Sequence, residues 1–223
     1  MRSGTKIVLV AGVVFTGIAS SLSVVQGQRQ TIDLGQAFAA GKVRAVNRTV
    51  TKLDERSGIR LSAAPGDGVA WVDGTDFSGG ALEVDIRGKD VTGQSFVGIA
   101  FNRTDDKNYE VVYLRPFNFR AEDPVRKQHA VQYMVSPEFE WPRLRKEFPE
   151  EFENPVDTSL VPTDWVRLRV AVDGSKRQIV VGSVKGVTLE VRKLGSLDGG
   201  QVGLWVGNNS DGDFANLVMI PSK

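Results

Sequence analysis

The residues best equipped to touch a ligand lie between positions 109 and 145 and again near 205. Trp205 sits in the run Val202-Gly203-Leu204-Trp205-Val206-Gly207. Strand alternation sends Val202, Leu204 and Val206 to one face and Trp205 to the other, with Gly203 and Gly207 beside it on that face. An indole flanked by glycines leaves room for something flat, and the C–H face of a sugar ring stacks well on a π-surface. The competing arrangement buries Trp205 under a helix, packed against Trp141. Tyr113, Arg115, Asn118, Arg120, His129, Gln132, Tyr133, Trp141, Arg145 and Asn208 add aromatic surface and planar donors and acceptors suited to sugar hydroxyl groups.

Other chemistry is narrowly bounded. His129 is the only histidine, so a multi-histidine metal site is excluded, and no Gly-x-Ser-x-Gly elbow offers it a serine nucleophile. It falls in Gln128–Tyr133, which reads as a polar and aromatic strand; a hydrogen-bonded sheet residue and a ligand contact both fit it. Glu110, Glu138 and Glu140 are the candidates for an acid or base, should the chain be a glycoside hydrolase or lyase acting on modified sugars. Oxygen groups cluster in Asn208-Asn209-Ser210-Asp211-Gly212-Asp213. Asp211 and Asp213 there would suit a structural Ca²⁺, a hard ion that takes carboxylate oxygens, and a plain polar hairpin turn is the other reading. No further cofactor is expected.

The start of the chain has the layout of an export signal. Arg2 and Lys6 precede an apolar run from Ile7 to Ala19, and Val25-Gln26-Gly27 offers small residues for cleavage after Gly27. That run is short for a membrane span, which takes about 20 residues, although an uncleaved anchor is the alternative. Residues 1–27 are therefore expected to be a signal peptide, and 28–223 one secreted or periplasmic domain with no membrane span. Removing two bases and no acids changes 28 Lys+Arg against 27 Asp+Glu into 26 against 27, a net charge of −1. With no basic arm, nucleic acid is a poor partner. The absence of cysteine rules out disulfides, so a packed core must hold the fold together.

The elements that must position these residues are strands. Val166, Leu168, Val170 and Val172 alternate with Arg167 and Arg169 and end at the hairpin dipeptide Asp173-Gly174, with Gln178–Val181 as the antiparallel partner. Similar alternation marks Ala81–Arg87, Ser95–Phe101, Tyr109–Arg115 and 202–207, and further strands are expected near 43–51, 58–63, 68–72, 128–135, 187–192 and 213–220. Ten or more strands with one apolar face each make two packed antiparallel sheets, an all-β sandwich. Trp141, Leu144, Phe148 and Phe152 recur at helical spacing, so a short helical insert is expected near 141–152, as a lid or as a structural cap.

Gly200-Gln201-Val202-Gly203-Leu204 and Phe214-Ala215-Asn216-Leu217-Val218-Met219-Ile220 resemble the last two strands of concanavalin A-like lectin and glucanase domains. Trp165–Val172 with Gln178–Val181 and Val187–Val191 resembles the hairpin of laminin-G-like and keto-disaccharide-hydrolase-like domains. The block from Phe101 through Trp141 is similar to bacterial secreted members of that superfamily. The resemblance covers about residues 68–221 and implies a two-sheet jelly-roll. Glu83-Val84-Asp85-Ile86 also resembles part of a retaining β-glucanase signature, with Glu83 and Asp85 about 6.5–7 Å apart on one strand face. The position of that signature's second catalytic glutamate is Gly88, so the hydrolytic pair is incomplete. The leading expectation is an exported carbohydrate-binding module, with a hydrolase or lyase and a protein-binding adhesive module as alternatives.

Overall fold

The computed structural model describes residues 28–183, 186–196 and 198–222. The expected signal peptide at 1–27 lies outside the described residues. The described residues form a two-sheet antiparallel β-sandwich, as the strand pattern predicts, with the jelly-roll architecture that the resemblance implies. The back sheet orders β13 (Gly186–Arg192), β12 (Gln178–Ser183), β11 (Val166–Asp173), β6 (Gly80–Arg87), β15 (Gly212–Pro221), β4 (Ile59–Leu61) and β3 (Val50–Lys52), with β1 (Gln30–Ile32) also on β15. The front sheet orders β10 (Glu153–Asn154), β9 (Val131–Ser136), β8 (Tyr109–Leu114), β7 (Val97–Arg103), β14 (Gln201–Val206), β5 (Gly68–Asp76) and β2 (Val43–Val46).

Alternation explains the back sheet. In β11, Val166, Leu168, Val170 and Val172 are buried while Arg167 and Arg169 face outward. Register sets those arginines opposite Asp85 and Glu83 of β6. Arg167 donates to Glu83 at 3.0 Å and to Asp85 at 3.1 Å, and Arg169 to Glu83 at 2.5 Å. The Glu83–Asp85 pair therefore belongs to a charge ladder on the outside of the back sheet. Gly88 has no space for the missing glutamate, since a Cβ there would lie 2.6 Å from Ser95 Oγ and 2.7 Å from Pro116 Cγ.

The core lies between the sheets, with Leu82, Val84 and Ile86 meeting Ile99, Phe101, Val112, Val202 and Leu204. Each such side chain, fully buried, contributes about 1.5–3 kcal/mol. The front sheet departs from simple alternation: β8 and β9 are buried on both faces. Segments between the strands cover the outer face, and short helices occur besides the expected insert, α1 packing on β15 and β4 of the back sheet. A 3₁₀ turn spans Pro116–Asn118, and α1 (Leu34–Ala39) and α2 (Pro124–Gln128) are capped by Asp33 and Asp123. The insert itself is α3 (Trp141–Glu147), with Pro142 in its first turn and a stop before Phe148. Leu144 and Phe152 are buried, while Trp141 stays 48 % exposed. His129 does not lie on a strand: it caps the C-terminus of α2, and β9 begins at Val131.

Candidate ligand-binding site

One row of residues crosses the outer face of the front sheet. Register aligns Trp205 on β14, Gly98 on β7, Tyr113 on β8, Gln132 on β9 and Glu153 on β10. Gly98 is what lets the two rings meet. A Cβ there would come within 2.6 Å of Tyr113 Cβ, and without it Trp205 and Tyr113 pack with centroids 4.9 Å apart at 45°.

Above this row is a cavity of about 500 Å³. Its floor is Trp205, Tyr113 and Met134; its walls include Phe96 and Phe117, which stack edge to face, and Trp141 from α3. Arg145, one turn after Trp141, lies over that indole at 5.1 Å. Arg115, Arg126, His129, Asn118, Asn208, Asp67 and Glu140 supply the polar lining.

A buried polar network fixes the floor. Tyr113 Oη donates to Gln132 Oε1 at 2.7 Å, and Arg115 donates to Tyr113 Oη at 2.6 Å, to the His129 carbonyl at 2.9 Å and to Gln132. Glu153 anchors the far end. Its carboxylate accepts two N–H groups of Arg145 at 3.0 Å each, lies 2.7 Å from His129 Nδ1 and is 3.6 Å from Arg115. Burial lowers the pKa of Arg115 and of His129, so the imidazole is held towards its neutral form, and burial pushes the Tyr113 hydroxyl up to about 12. At the opposite rim, desolvation and then the Glu140 carboxylate push Asp67 up to about 6. The Trp205 indole N–H has no partner in hydrogen-bonding geometry.

Of the residues expected at the site, Tyr113, Arg115, Asn118, His129, Trp141, Arg145, Trp205 and Asn208 all line this cavity. Three do not. Gln132 is fully buried behind Tyr113 and Arg115. Tyr133 alternates to the other face of β9, where it donates to Glu110 at 2.6 Å. Arg120 turns away to the carbonyls of Thr158, Ser159 and Leu160.

Trp205 is not on an open sheet face. It is 3 % exposed, and the space beside it is used by other rings: a Cβ on Gly203 would lie 2.6 Å from Trp71, and one on Gly207 2.8 Å from Phe96. The flanking glycines make room for packing aromatics, and the indole forms the floor of a recess. Nor does Trp205 pair with Trp141; its ring partner is Tyr113.

The carboxylates expected elsewhere divide similarly. Glu110 is fully buried beside Lys193 at 2.9 Å and Asn102 at 3.0 Å, away from the cavity. Glu138 is on the surface near Arg143, and Glu140 alone of the three lines the cavity. Asp213 is held by Arg60 at 2.5 and 2.8 Å and by Arg87 at 2.7 and 2.9 Å, and Asp211 by Lys89 at 2.7 Å. Their oxygens serve cationic side chains, and no group of three or more His, Asp or Glu placed to share a metal occurs among the described residues. The lining residues that the sequence did not single out are Asp67, Thr92, Gly93, Phe96, Phe117, Arg126 and Met134, together with Glu153 behind them.

No family model matches the chain, and no curated protein matches it. Among solved structures, carbohydrate-binding module CBM66 from Bacillus subtilis is 19 % identical, covering 79 % of this chain and 93 % of that one at a TM-score of 0.56. The exoplasmic/lumenal domain of VIP36, in its Ca²⁺/Man3GlcNAc-bound form, is 12 % identical over 82 % of this chain and 85 % of that one, with a TM-score of 0.54. The β-glucanase of Bacillus licheniformis is 13 % identical over 88 % and 93 %, with a TM-score of 0.51. The two packed sheets and these matches together make the fold a concanavalin A-like jelly-roll.

Proposed function

We propose that this protein is an exported carbohydrate-binding module that holds a saccharide in the cavity over the front sheet. The observation that carries the reading is the recess itself: about 500 Å³, floored by the Trp205 and Tyr113 rings, edged by an exposed Trp141 and lined by a prearranged arginine network. Flat apolar rings receive the C–H face of a sugar, and fixed N–H groups receive its oxygens. A rigid, recessed site loses little side-chain entropy on binding. That CBM66 and the Man3GlcNAc-bound VIP36 domain share the fold supports the same reading. Affinities of about micromolar to millimolar are expected, because sugar hydroxyls give up good hydration on entering.

Calorimetric titration against a saccharide panel tests this. Binding that weakens about tenfold or more in Trp141→Ala, with unchanged thermal stability, is the expected result. No heat with any saccharide in the panel, or binding indifferent to Trp141, removes the reading.

A second reading, a glycoside hydrolase or lyase, is favoured by one observation. Asp67 and Glu140 face the same cavity, and desolvation together with Glu140 raises Asp67 to about 6, a value suited to a proton donor. Reducing ends released from a polysaccharide, and lost in both Asp67→Asn and Glu140→Gln, would establish it.

A further inference from the structure

We infer that the saccharide is anionic, a sugar carrying a carboxylate that docks at the arginine end of the cavity; this rests on the saccharide reading of the same site. Three guanidinium groups, Arg115, Arg126 and Arg145, line that cavity. Among the described residues Glu153 is the carboxylate paired with two of them. Arg145 takes Glu153 through two N–H groups, and Arg115 reaches no closer than 3.6 Å. Arg126 pairs with no carboxylate among the described residues. Its N–H groups go to neutral oxygens, Asn118 Oδ1 at 3.3 Å, the Phe117 carbonyl at 3.0 Å and Thr92 Oγ1 at 3.1 Å. This end of the cavity thus presents three guanidinium groups with one paired carboxylate, Glu153, while Asp90, Glu122 and Asp123 share a separate recess with Arg126.

The acids that line the cavity, Asp67 and Glu140, stand at the opposite rim. The charges acting most on Asp67 are Glu140 and Arg48, not the three arginines. The cavity is therefore polarised along its length. A ligand with an oxyanion at one end and hydroxyl donors at the other complements both ends, and a neutral sugar complements only one. Burial sharpens the preference. Arg115 is 4 % exposed, and its charge is attracted to a ligand anion in a medium less screening than water. A carboxylate is favoured over other oxyanions because its two coplanar oxygens match the fork of a guanidinium.

Titration of the domain with oligomers of galacturonate, mannuronate and glucuronate, against neutral oligosaccharides and a sulfated galactan, separates the outcomes. One uronate oligomer is expected to bind about tenfold or more tighter than any neutral oligosaccharide, and to weaken as salt rises. Arg126→Gln is expected to lose most of that margin, and Arg126→Lys to recover only part of it. A neutral sugar binding as tightly as every uronate would overturn the inference and leave the saccharide reading standing. Tighter binding of the sulfated galactan would overturn the carboxylate assignment. Silence from all ligands would overturn both.

Discussion

Replacing Glu153 by glutamine removes a charge while keeping the shape of the side chain. The carboxylate is 3 % exposed and serves Arg145, Arg115 and His129 at once. The cost depends on which partner is stranded. Arg145, 31 % exposed along its side chain, can turn outward and rehydrate. Arg115, at 5 %, cannot. Breaking a buried pair by removing one partner costs about 3–5 kcal/mol. Arg115 retains its bonds to Tyr113, Gln132 and the His129 carbonyl, so a loss of about 2–3 kcal/mol is expected. Urea unfolding followed by tryptophan fluorescence measures it: with a slope of about 2 kcal/mol/M, the midpoint should fall by about 1 M. Glu83→Gln is the matched control. Its partners Arg167 and Arg169 are 22 % and 47 % exposed along their side chains, so the loss should be about 0.2–1 kcal/mol. Equal midpoints for the two variants would show that Glu153 does not compensate a buried charge.

Three other perturbations test separate parts of the structure. Gly203→Ala drives a methyl into Trp71 and Val69, both 2.6 Å from the new Cβ, and should cost about 1–3 kcal/mol in the same unfolding assay. Asp67, whose folded pKa of about 6 exceeds its ordinary 3.8, binds its proton more tightly when folded. Its contribution to stability is thus full below about pH 4 and is lost as pH rises through 6. The carboxylate stands at the rim of the cavity, so the effect is small, but Asp67→Asn should raise Tm relative to the parent at pH 7.5 and not at pH 4. Chelation with EDTA should leave Tm unchanged, because Asp211 and Asp213 already face Lys89, Arg60 and Arg87; a fall in Tm would show a bound metal.

Much of the sandwich was legible because back-sheet strands alternate cleanly. Val166–Asp173 and its partner after Asp173-Gly174 needed nothing beyond period two and a hairpin dipeptide. The front sheet misleads the same logic. Alternation divides core from non-core, and the non-core face was taken as open to solvent. In β8 and β9 it is covered, which is why Gln132 falls outside the cavity lining and why Trp205 is recessed, while Tyr133 lies on the opposite face with Glu110. A signal existed: Tyr109-Glu110-Val111-Val112-Tyr113-Leu114 is bulky and largely apolar on both faces, and Gly98, Ala100 and Gly203 are small where neighbours must fit. Asp123-Pro124 likewise marked the start of α2, which removes His129 from a strand. Glu153 carried no such mark. In Glu150-Glu151-Phe152-Glu153 it looks like one more solvated acid, and only its pairing opposite Gln132 carries it inside. Arg126 and Asp67 come from connecting segments whose path no periodicity predicts.

The four tryptophans make a direct measurement possible, since Trp141 and Trp205 line the cavity while Trp71 and Trp165 do not. In ¹⁵N–¹H spectra, adding the tightest-binding saccharide should shift the indole signals of Trp141 and Trp205 and leave those of Trp71 and Trp165 in place. Shifts confined to Trp71 or Trp165, or four unmoved indoles at a saccharide concentration that saturates calorimetric binding, would place the sugar elsewhere and contradict the account.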